Sequence, residues 1–187
     1  VRAAYSSGTP AYGVGAGNST MIIDETASIE EAARNTRLSK TSDYGSGCSA
    51  DGNLIIAASI FDKLVAQLQK EGGHLATPEQ KEMLRKAMWD GERHRTVETV
   101  AIAPQELAKI AGFTIPADRK FIMVHADGIG KEHHFSGEKL TTLLALYKYE
   151  SFDQALAMMR GVYEVGGKGH SCGIYSFDPD HVHRLAM

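Results

Sequence analysis

The residue with the clearest capacity for chemistry is Cys48, which lies in a loop rich in glycine and serine. The loop has the sequence GSGCSADG (residues 45–52) and separates a predicted helix from a predicted strand. Glycines beside a nucleophile let backbone amides approach a ligand closely enough to stabilise a developing oxyanion. A lone cysteine is about as often a small buried apolar residue, but such a loop is an unusual place for a core residue. The loop context therefore favours Cys48 as a nucleophile, which needs an electropositive setting to react.

Two further polar residues lie just before predicted strands. His170 is part of the loop GGKGHS (residues 166–171) and is a candidate for proton transfer or ligand contact. Taken alone, a histidine in such a loop is more often a surface residue. Glu138 begins the stretch EKLTT (residues 138–142). Taken alone, Glu138 and Lys139 are typical of a solvated charge pair at the start of a strand.

Two patterns that could indicate metal or phosphate binding lack the required spacing. Six side chains could ligate a metal: His125, His133, His134 and His170, together with Cys48 and Cys172. Neither C-x-x-C nor H-E-x-x-H occurs, however, and the adjacent His133 and His134 would usually point apart. We therefore predict no metal site. The stretch GVGAG (residues 13–17) lacks the G-x-G-x-x-G spacing of a dinucleotide site, and no helix pattern follows it directly. A tight turn between two strands is the favoured interpretation of this stretch.

The composition is that of a globular protein. Of 187 residues, 43% are hydrophobic and 23% charged, and the net charge is -3 with scattered basic residues, so we expect no nucleic-acid partner. No apolar run approaches the ~18 residues of a membrane span, so we expect no membrane partner. Two cysteines are too few for a disulfide framework, which favours free thiols and a cytoplasmic location.

Apolar runs alternate with capped helical segments along the chain, a pattern typical of an α/β domain. Serine or threonine precedes Glu or Gln by three residues at three predicted helix starts, where each pair can form a reciprocal capping box; these pairs begin at Ser28, Thr77 and Ser151. The predicted strands cover residues 21–23, 54–58, 121–124, 143–147 and 173–177. The predicted helices cover residues 28–40, 60–71, 78–88, 104–111 and 151–163.

In this order the segments resemble the CoA-acylating branch of the aldehyde dehydrogenase superfamily, as found in the aldehyde domain of bifunctional aldehyde-alcohol dehydrogenases. The similarity covers nearly the whole chain. It rests on the opening stretch VRAAYSSGTP with GVGAGN, on SKTS followed by Cys48, on EKL, and on GGKGHS. The resemblance implies a three-layer α/β/α catalytic-domain fold with a mostly parallel sheet. Residues 1–18 would end the nucleotide-binding domain, and residues 19–187 would form a catalytic domain truncated at its C-terminal end.

The resemblance also implies a role for each candidate residue. Cys48 would be the nucleophile, Glu138 would bind the nicotinamide ribose hydroxyls, and His170 would assist acyl transfer near the coenzyme A thiol. The cofactor would be NAD or NADP, and coenzyme A would be the cosubstrate. The aldehyde would be small, such as acetaldehyde, succinate semialdehyde or sulfoacetaldehyde. The family's habit suggests a homo-oligomer.

Departures from the family pattern inform the mechanism. Hydrolytic aldehyde dehydrogenases carry a glutamate about where this chain has GVGAG, and no carboxylate is available there. Without a base to activate water, a thioester on Cys48 would hydrolyse slowly and would remain for attack by the thiol of coenzyme A. Asp51-Gly52 and Thr141-Thr142 also differ from the commoner acylating pattern, and leave the identity of the aldehyde open.

The sequence therefore predicts an oxidoreductase that converts a small aldehyde to its acyl-CoA. Two alternatives remain open: a hydrolytic NAD(P)-dependent semialdehyde dehydrogenase, and a non-catalytic module in which Cys48 is structural. The sequence begins at Val1 without methionine, and a helix that opens near Asp178 runs to Met187 without a capping signal. We expect a piece of a longer protein, inactive in isolation.

Overall fold

The computed structural model describes residues 2–12 and 17–187, and within these ranges the chain forms one α/β unit. Its six strands are β1 (Thr20–Ile23), β2 (Asn53–Ala57), β3 (Gly73–Leu75), β4 (Phe121–His125), β5 (Leu143–Tyr149) and β6 (Cys172–Tyr175). Its α-helices are α1 (Arg2–Tyr5), α2 (Ile29–Thr41), α3 (Phe61–Lys70), α4 (Pro78–Met88), α5 (Pro104–Ala111), α6 (Phe152–Val165) and α7 (Pro179–Ala186). None of these helices is long and apolar enough to cross a membrane.

The six strands form one parallel sheet in the order β3-β4-β5-β2-β1-β6. With right-handed crossovers, the face on which a connecting helix packs depends on the direction in which the chain moves across the sheet. The chain first moves from β1 to β2 and on to β3, which places α2 and α3 on one face. It then moves back from β3 to β6, which places α4 to α6 on the other face. Every residue of β2 is buried, and each of β4 and β5 has only one exposed residue. Such burial is expected of strands that are covered on both faces. The predicted three-layer fold is therefore confirmed.

Local sequence explains where the helices begin. Thr77 forms the expected reciprocal capping box with Gln80, and Pro78 occupies the first turn of α4. At Ser28 and Ser151 the hydroxyl does accept the amide three residues on, but the return hydrogen bond that we predicted is absent. Gln154 instead accepts the backbone N–H of Glu150, one residue before the cap.

The carboxylate of Asp24 joins the end of β1 to the end of β6 and to α7. It is fully buried, and it accepts hydrogen bonds from the Thr26 backbone and hydroxyl (2.8 and 2.6 Å), from Ser176, and from Nδ1 of His181 (2.9 Å). These donors hold the pKa of Asp24 below its usual value although burial opposes them. The charged carboxylate is thus part of the fold.

Replacing Asp24 by alanine is expected to lower the free energy of unfolding by about 2–3 kcal/mol at pH 7, because buried donors lose a charged acceptor. A carboxyl group whose pKa is depressed in the folded state stabilises the fold above its unfolded pKa of about 4 and loses that contribution as pH falls. Urea unfolding at pH 7 and pH 3.5 measures both effects. The stability difference between the two proteins should shrink at pH 3.5. As a control, exposed Glu98→Ala should change stability by no more than about 0.5 kcal/mol.

Candidate active site

The predicted site residues converge at the amino ends of four neighbouring strands. Gly17 precedes β1, Cys48 precedes β2, Glu138 precedes β5 and His170 precedes β6. Ligands of open parallel sheets usually bind at the carboxyl ends of the strands. In this chain the candidate site lies at the opposite edge, because the loops that enter the strands carry the reactive side chains.

Gly17 lies directly between Cys48 and Glu138. A Cβ atom on Gly17 would be 2.9 Å from Oε1 of Glu138 and 3.0 Å from both Cβ and the backbone oxygen of Cys48. The two predicted site residues are therefore neighbours across a glycine, although 90 residues separate them in sequence. Only the absence of a side chain at Gly17 lets the loops come this close.

The Cys48 loop has an unusual backbone. After α2 ends, Asp43, Tyr44 and Gly45 adopt left-handed φ angles of 45°, 52° and 69°. A Cβ on Gly45 would meet the carbonyl oxygen of Thr141 at 2.6 Å, so the loop packs directly on the segment that follows Glu138. Left-handed non-glycine residues cost energy and are retained where the surrounding structure fixes them. The Cys48 side chain at the end of this turn is exposed rather than buried in the core.

Glu138 is half-buried and makes no hydrogen bond to the part of the chain that the structure describes. Burial raises the pKa of its carboxyl group, while the charges of His170, Lys139 and Lys40 oppose that rise. An uncommitted carboxylate at a loop edge can accept hydrogen bonds from the hydroxyls of a ligand. The solvated charge pair that Glu138 and Lys139 suggested in isolation is wrong, because Lys139 is only 1% exposed.

His170 is exposed in the loop that precedes β6, near enough to Glu138 for its charge to act on that carboxyl group. Gly167, with φ of +86°, packs its backbone against Asn18, where a Cβ would lie 2.8 Å from the Asn18 backbone nitrogen. Nδ1 of His170 lies 2.8 Å from the Ser171 hydroxyl, which leaves Nε2 without a hydrogen bond to any described residue. His170 can therefore offer Nε2 to a ligand beside Glu138.

A buried polar network beneath these loops was not predicted. The Asn18 side chain donates to the carbonyl of Ser136 (2.8 Å) and accepts from the Asn53 amide (2.8 Å). The ammonium of Lys139 donates to Oδ1 of Asn53 (3.0 Å) and to the carbonyls of Phe135 and Gly137 (2.7 Å each). Burial and the nearby positive charges of Lys40 and Arg95 lower the pKa of Lys139, while the negative charge of Glu138 opposes this effect.

The side chain of Arg95 stabilises the loop that contains Glu138 and Lys139. Its guanidinium donates to the carbonyl of Lys139 at 2.8 Å, to the hydroxyl of Thr99 at 2.9 Å, and to the carbonyl of Met88. Leu140, the next residue after Lys139, has a left-handed φ of 50°. The guanidinium thus fixes the backbone on which Glu138 is carried. No pattern in the sequence near Arg95 indicated this contact.

The remaining sequence candidates lie elsewhere or outside the described residues. Gly13 to Ala16 of the glycine-rich stretch are outside the described residues, so the predicted turn there stays a prediction. His125 stacks on Phe61 with ring centroids 5.6 Å apart, and His134 lies edge-on to Trp89 at 5.5 Å. Both rings pack on aromatic neighbours rather than with Cys48.

Within residues 2–12 and 17–187, one group of side chains has the spacing of metal ligands: Asp24, Glu25 and His181. Its ligand atoms lie within 4.8 Å of one another, at the carboxyl edge of the sheet and away from Cys48. The Asp24 carboxylate already accepts hydrogen bonds from Thr26, Ser176 and His181. We therefore interpret Asp24 and His181 as residues that stabilise the fold rather than as metal ligands.

Comparison with known proteins gives a consistent set of relatives. No protein-family model matches the chain. Sulfoacetaldehyde dehydrogenase (acylating) of Bilophila wadsworthia is 35% identical over 189 aligned residues, which cover 99% of this chain and 41% of that protein. This chain thus spans about two fifths of the length of that relative.

Solved structures give the same picture. The acetylating aldehyde dehydrogenase of Geobacillus thermoglucosidasius superposes with a TM-score of 0.94 at 37% identity, covering 100% of this chain and 41% of that one. The propionaldehyde dehydrogenase of Rhodopseudomonas palustris, solved with bound CoA and an acylated cysteine, superposes with a TM-score of 0.85 at 27% identity, covering 100% and 42%.

Proposed function

Since the chain belongs to the CoA-acylating aldehyde dehydrogenases along its whole length, we propose that it carries the nucleophile of an enzyme that oxidises a small aldehyde to its acyl-CoA. The observation that carries this proposal is the convergence of Cys48, Glu138 and His170 at one edge of the sheet. Residues 19–187 would form the catalytic domain, and residues 1–18 would end a nucleotide-binding domain. We expect the chain alone to be inactive, because catalysis in the family needs both domains around one cleft.

In the proposed mechanism the Cys48 thiolate adds to the aldehyde carbonyl and forms a thiohemiacetal. Exposure of the Cys48 side chain supports this role, because the nucleophile must reach the substrate. Backbone amides of the surrounding glycine-rich loop would stabilise the oxyanion. Collapse of the adduct expels a hydride and leaves an acyl thioester on Cys48.

NAD or NADP, when bound, supplies the hydride acceptor. Glu138 would hold the hydroxyls of the nicotinamide ribose. Its carboxylate suits that role because it makes no hydrogen bond within the described residues and lies beside Cys48 across Gly17. A ribose held by Glu138 would place the nicotinamide ring next to the thiohemiacetal carbon.

Acyl transfer would follow when the thiol of coenzyme A attacks the thioester. His170 would accept the thiol proton on Nε2, which no described residue engages. The acetylating and CoA-bound relatives support coenzyme A rather than water as the acyl acceptor. The homo-oligomer, the cytoplasmic location and the absence of nucleic-acid and membrane partners stay predictions.

The function is tested with the protein produced at its full natural length. We expect acyl-CoA from at least one of acetaldehyde, succinate semialdehyde and sulfoacetaldehyde when NAD or NADP and coenzyme A are both present, measured by mass spectrometry. Without coenzyme A the steady-state rate should fall at least about 100-fold, because the glutamate that activates water in hydrolytic aldehyde dehydrogenases has no counterpart in GVGAG (residues 13–17). Formation of the carboxylic acid at an undiminished rate without coenzyme A would instead identify a hydrolytic dehydrogenase.

A further inference from the structure

Lys40 is a charged side chain that the proposed mechanism does not use. It lies in the last turn of α2 and is only 1% exposed. Within residues 2–12 and 17–187 its ammonium has no hydrogen bond and no carboxylate within 4.0 Å. It also lines the small recess beside Cys48 and Glu138. The Lys40 side chain as a whole is almost fully buried, and burying its charge is costly, so its retention calls for a role.

The charges around Lys40 come from both loops of the candidate site. The carboxylates of Asp51, three residues after Cys48, and of Glu138 attract its ammonium, and the neighbouring ammonium of Lys139 repels it. Asp51 itself is 6% exposed, and its backbone N–H donates to the Ser39 hydroxyl at 3.0 Å. The positive charge of Lys40 thus attracts one carboxylate of the Cys48 loop, that of Asp51, and one carboxylate of the Glu138 loop, that of Glu138 itself.

The apolar stem of Lys40 also lies beneath the contact between these loops. A Cβ on Gly45 would be 3.1 Å from Cε of Lys40 and 2.6 Å from the carbonyl oxygen of Thr141. The stem, the left-handed turn before Cys48 and the segment after Glu138 therefore pack at one point. A change at Lys40 acts on both loops at once.

We propose that Lys40 is a positioning residue that holds the Cys48 loop and the Glu138 loop in the register needed to place a nicotinamide ribose beside the sulfur. The proposal rests on the proposed function, because it assigns Lys40 to the same cleft. Lys40 acts through Glu138 and Asp51, and touches neither substrate nor cofactor.

The charge on Lys40 gives this role a pH dependence. Burial lowers the pKa of Lys40 to about 8, although Asp51 and Glu138 favour its charged form. Burial also raises the pKa of Asp51 to about 6. Both charges are thus present between about pH 6 and pH 8. Above pH 8 Lys40 loses its proton, the attraction to Glu138 disappears, and nucleotide binding should weaken.

The test measures binding of NADH or NADPH by fluorescence titration from pH 6.5 to 9.5, in the protein at full natural length. The wild-type Kd should rise several-fold between pH 7.5 and pH 9. In Lys40→Met, which keeps the length of the stem, the Kd should be raised about tenfold at pH 7 and should stay flat with pH. Exposed Lys63→Met on α3 should reproduce the wild-type curve.

A second variant covers the case in which Lys40→Met does not fold. Asp51→Asn removes one carboxylate that favours the charged form of Lys40, so the alkaline rise in Kd should move to lower pH. An unshifted rise in Asp51→Asn, or a wild-type curve in Lys40→Met, would overturn the proposal. Because nucleotide binding is measured without turnover, a failure to form acyl-CoA would contradict the proposed function and leave this test intact.

Discussion

Cys48→Ser is expected to reduce acyl-CoA formation by at least about 10⁴-fold, the scale of loss when an enzyme loses its covalent nucleophile. A serine hydroxyl is far less ionised than a thiol at neutral pH and is therefore a much weaker nucleophile. The product is measured by mass spectrometry in the full-length protein with saturating nucleotide and coenzyme A. Residual activity above about 1% of wild type would show that another group forms the thioester.

Cys172 supplies a matched control, because it is the other exposed cysteine and begins β6. Cys172→Ser should change the rate by no more than about threefold, because serine keeps a polar group of similar size facing the Tyr163 hydroxyl. A single turnover with aldehyde and nucleotide, without coenzyme A, should leave one acyl group on the peptide that contains Cys48. An acyl group on Cys172 instead would reassign the nucleophile.

Periodicity and turn signals were sufficient to predict the long elements. The predicted helices over residues 78–88 and 104–111 match α4 and α5 to the residue, because Pro78 and Pro104 mark their starts. The other predicted helices and strands agree within two residues. Strand β3 was missed, because three residues at the sheet edge carry too short a pattern to distinguish from a loop.

The site was predictable only in part. Its loop composition pointed to Cys48, but the pairing of Cys48 with Glu138 came from resemblance to a family. Residue-by-residue reasoning could not find it, because Gly17 creates the contact between segments far apart in sequence. Local charge patterns likewise assign Lys40 and Lys139 to the surface, since lysines are almost never fully buried without partners. Only tertiary structure shows that both lie beneath the site.

The sheet topology explains why four separate loops meet. Strands β1, β2 and β5 are neighbours, and β6 pairs with β1 on the other side. The residues that precede adjacent parallel strands must lie at the same edge, so Gly17, Cys48, Glu138 and His170 converge once the strand order is set. Strand order depends on long-range packing that a single sequence does not reveal. Residue-by-residue reasoning therefore could not show the convergence, which the sequence implied only through the family resemblance.

Lys139→Met is expected to lower the free energy of unfolding by about 3–5 kcal/mol, the cost of breaking a buried charged interaction by removing one partner. All three ammonium donors of Lys139 are used, by Asn53 and by the carbonyls of Phe135 and Gly137. Methionine would leave these acceptors buried without a donor. Because domains of this kind unfold with about 5–15 kcal/mol, the loss is a large fraction of the total.

Urea unfolding of Lys139→Met, Asn53→Ala and the double variant measures the effect and its origin. Exposed Lys63→Met should stay within about 0.5 kcal/mol of wild type. The double variant should lose less than the sum of the single losses, by about 1–2 kcal/mol, because Asn53 and Lys139 share one hydrogen bond. Additive losses, or a Lys139→Met protein as stable as the Lys63→Met control, would mean that the buried ammonium does not hold the two strand starts together. In that case the placement of Glu138 beside Cys48 would depend on Arg95 and on the packing of Gly45 against Thr141 alone.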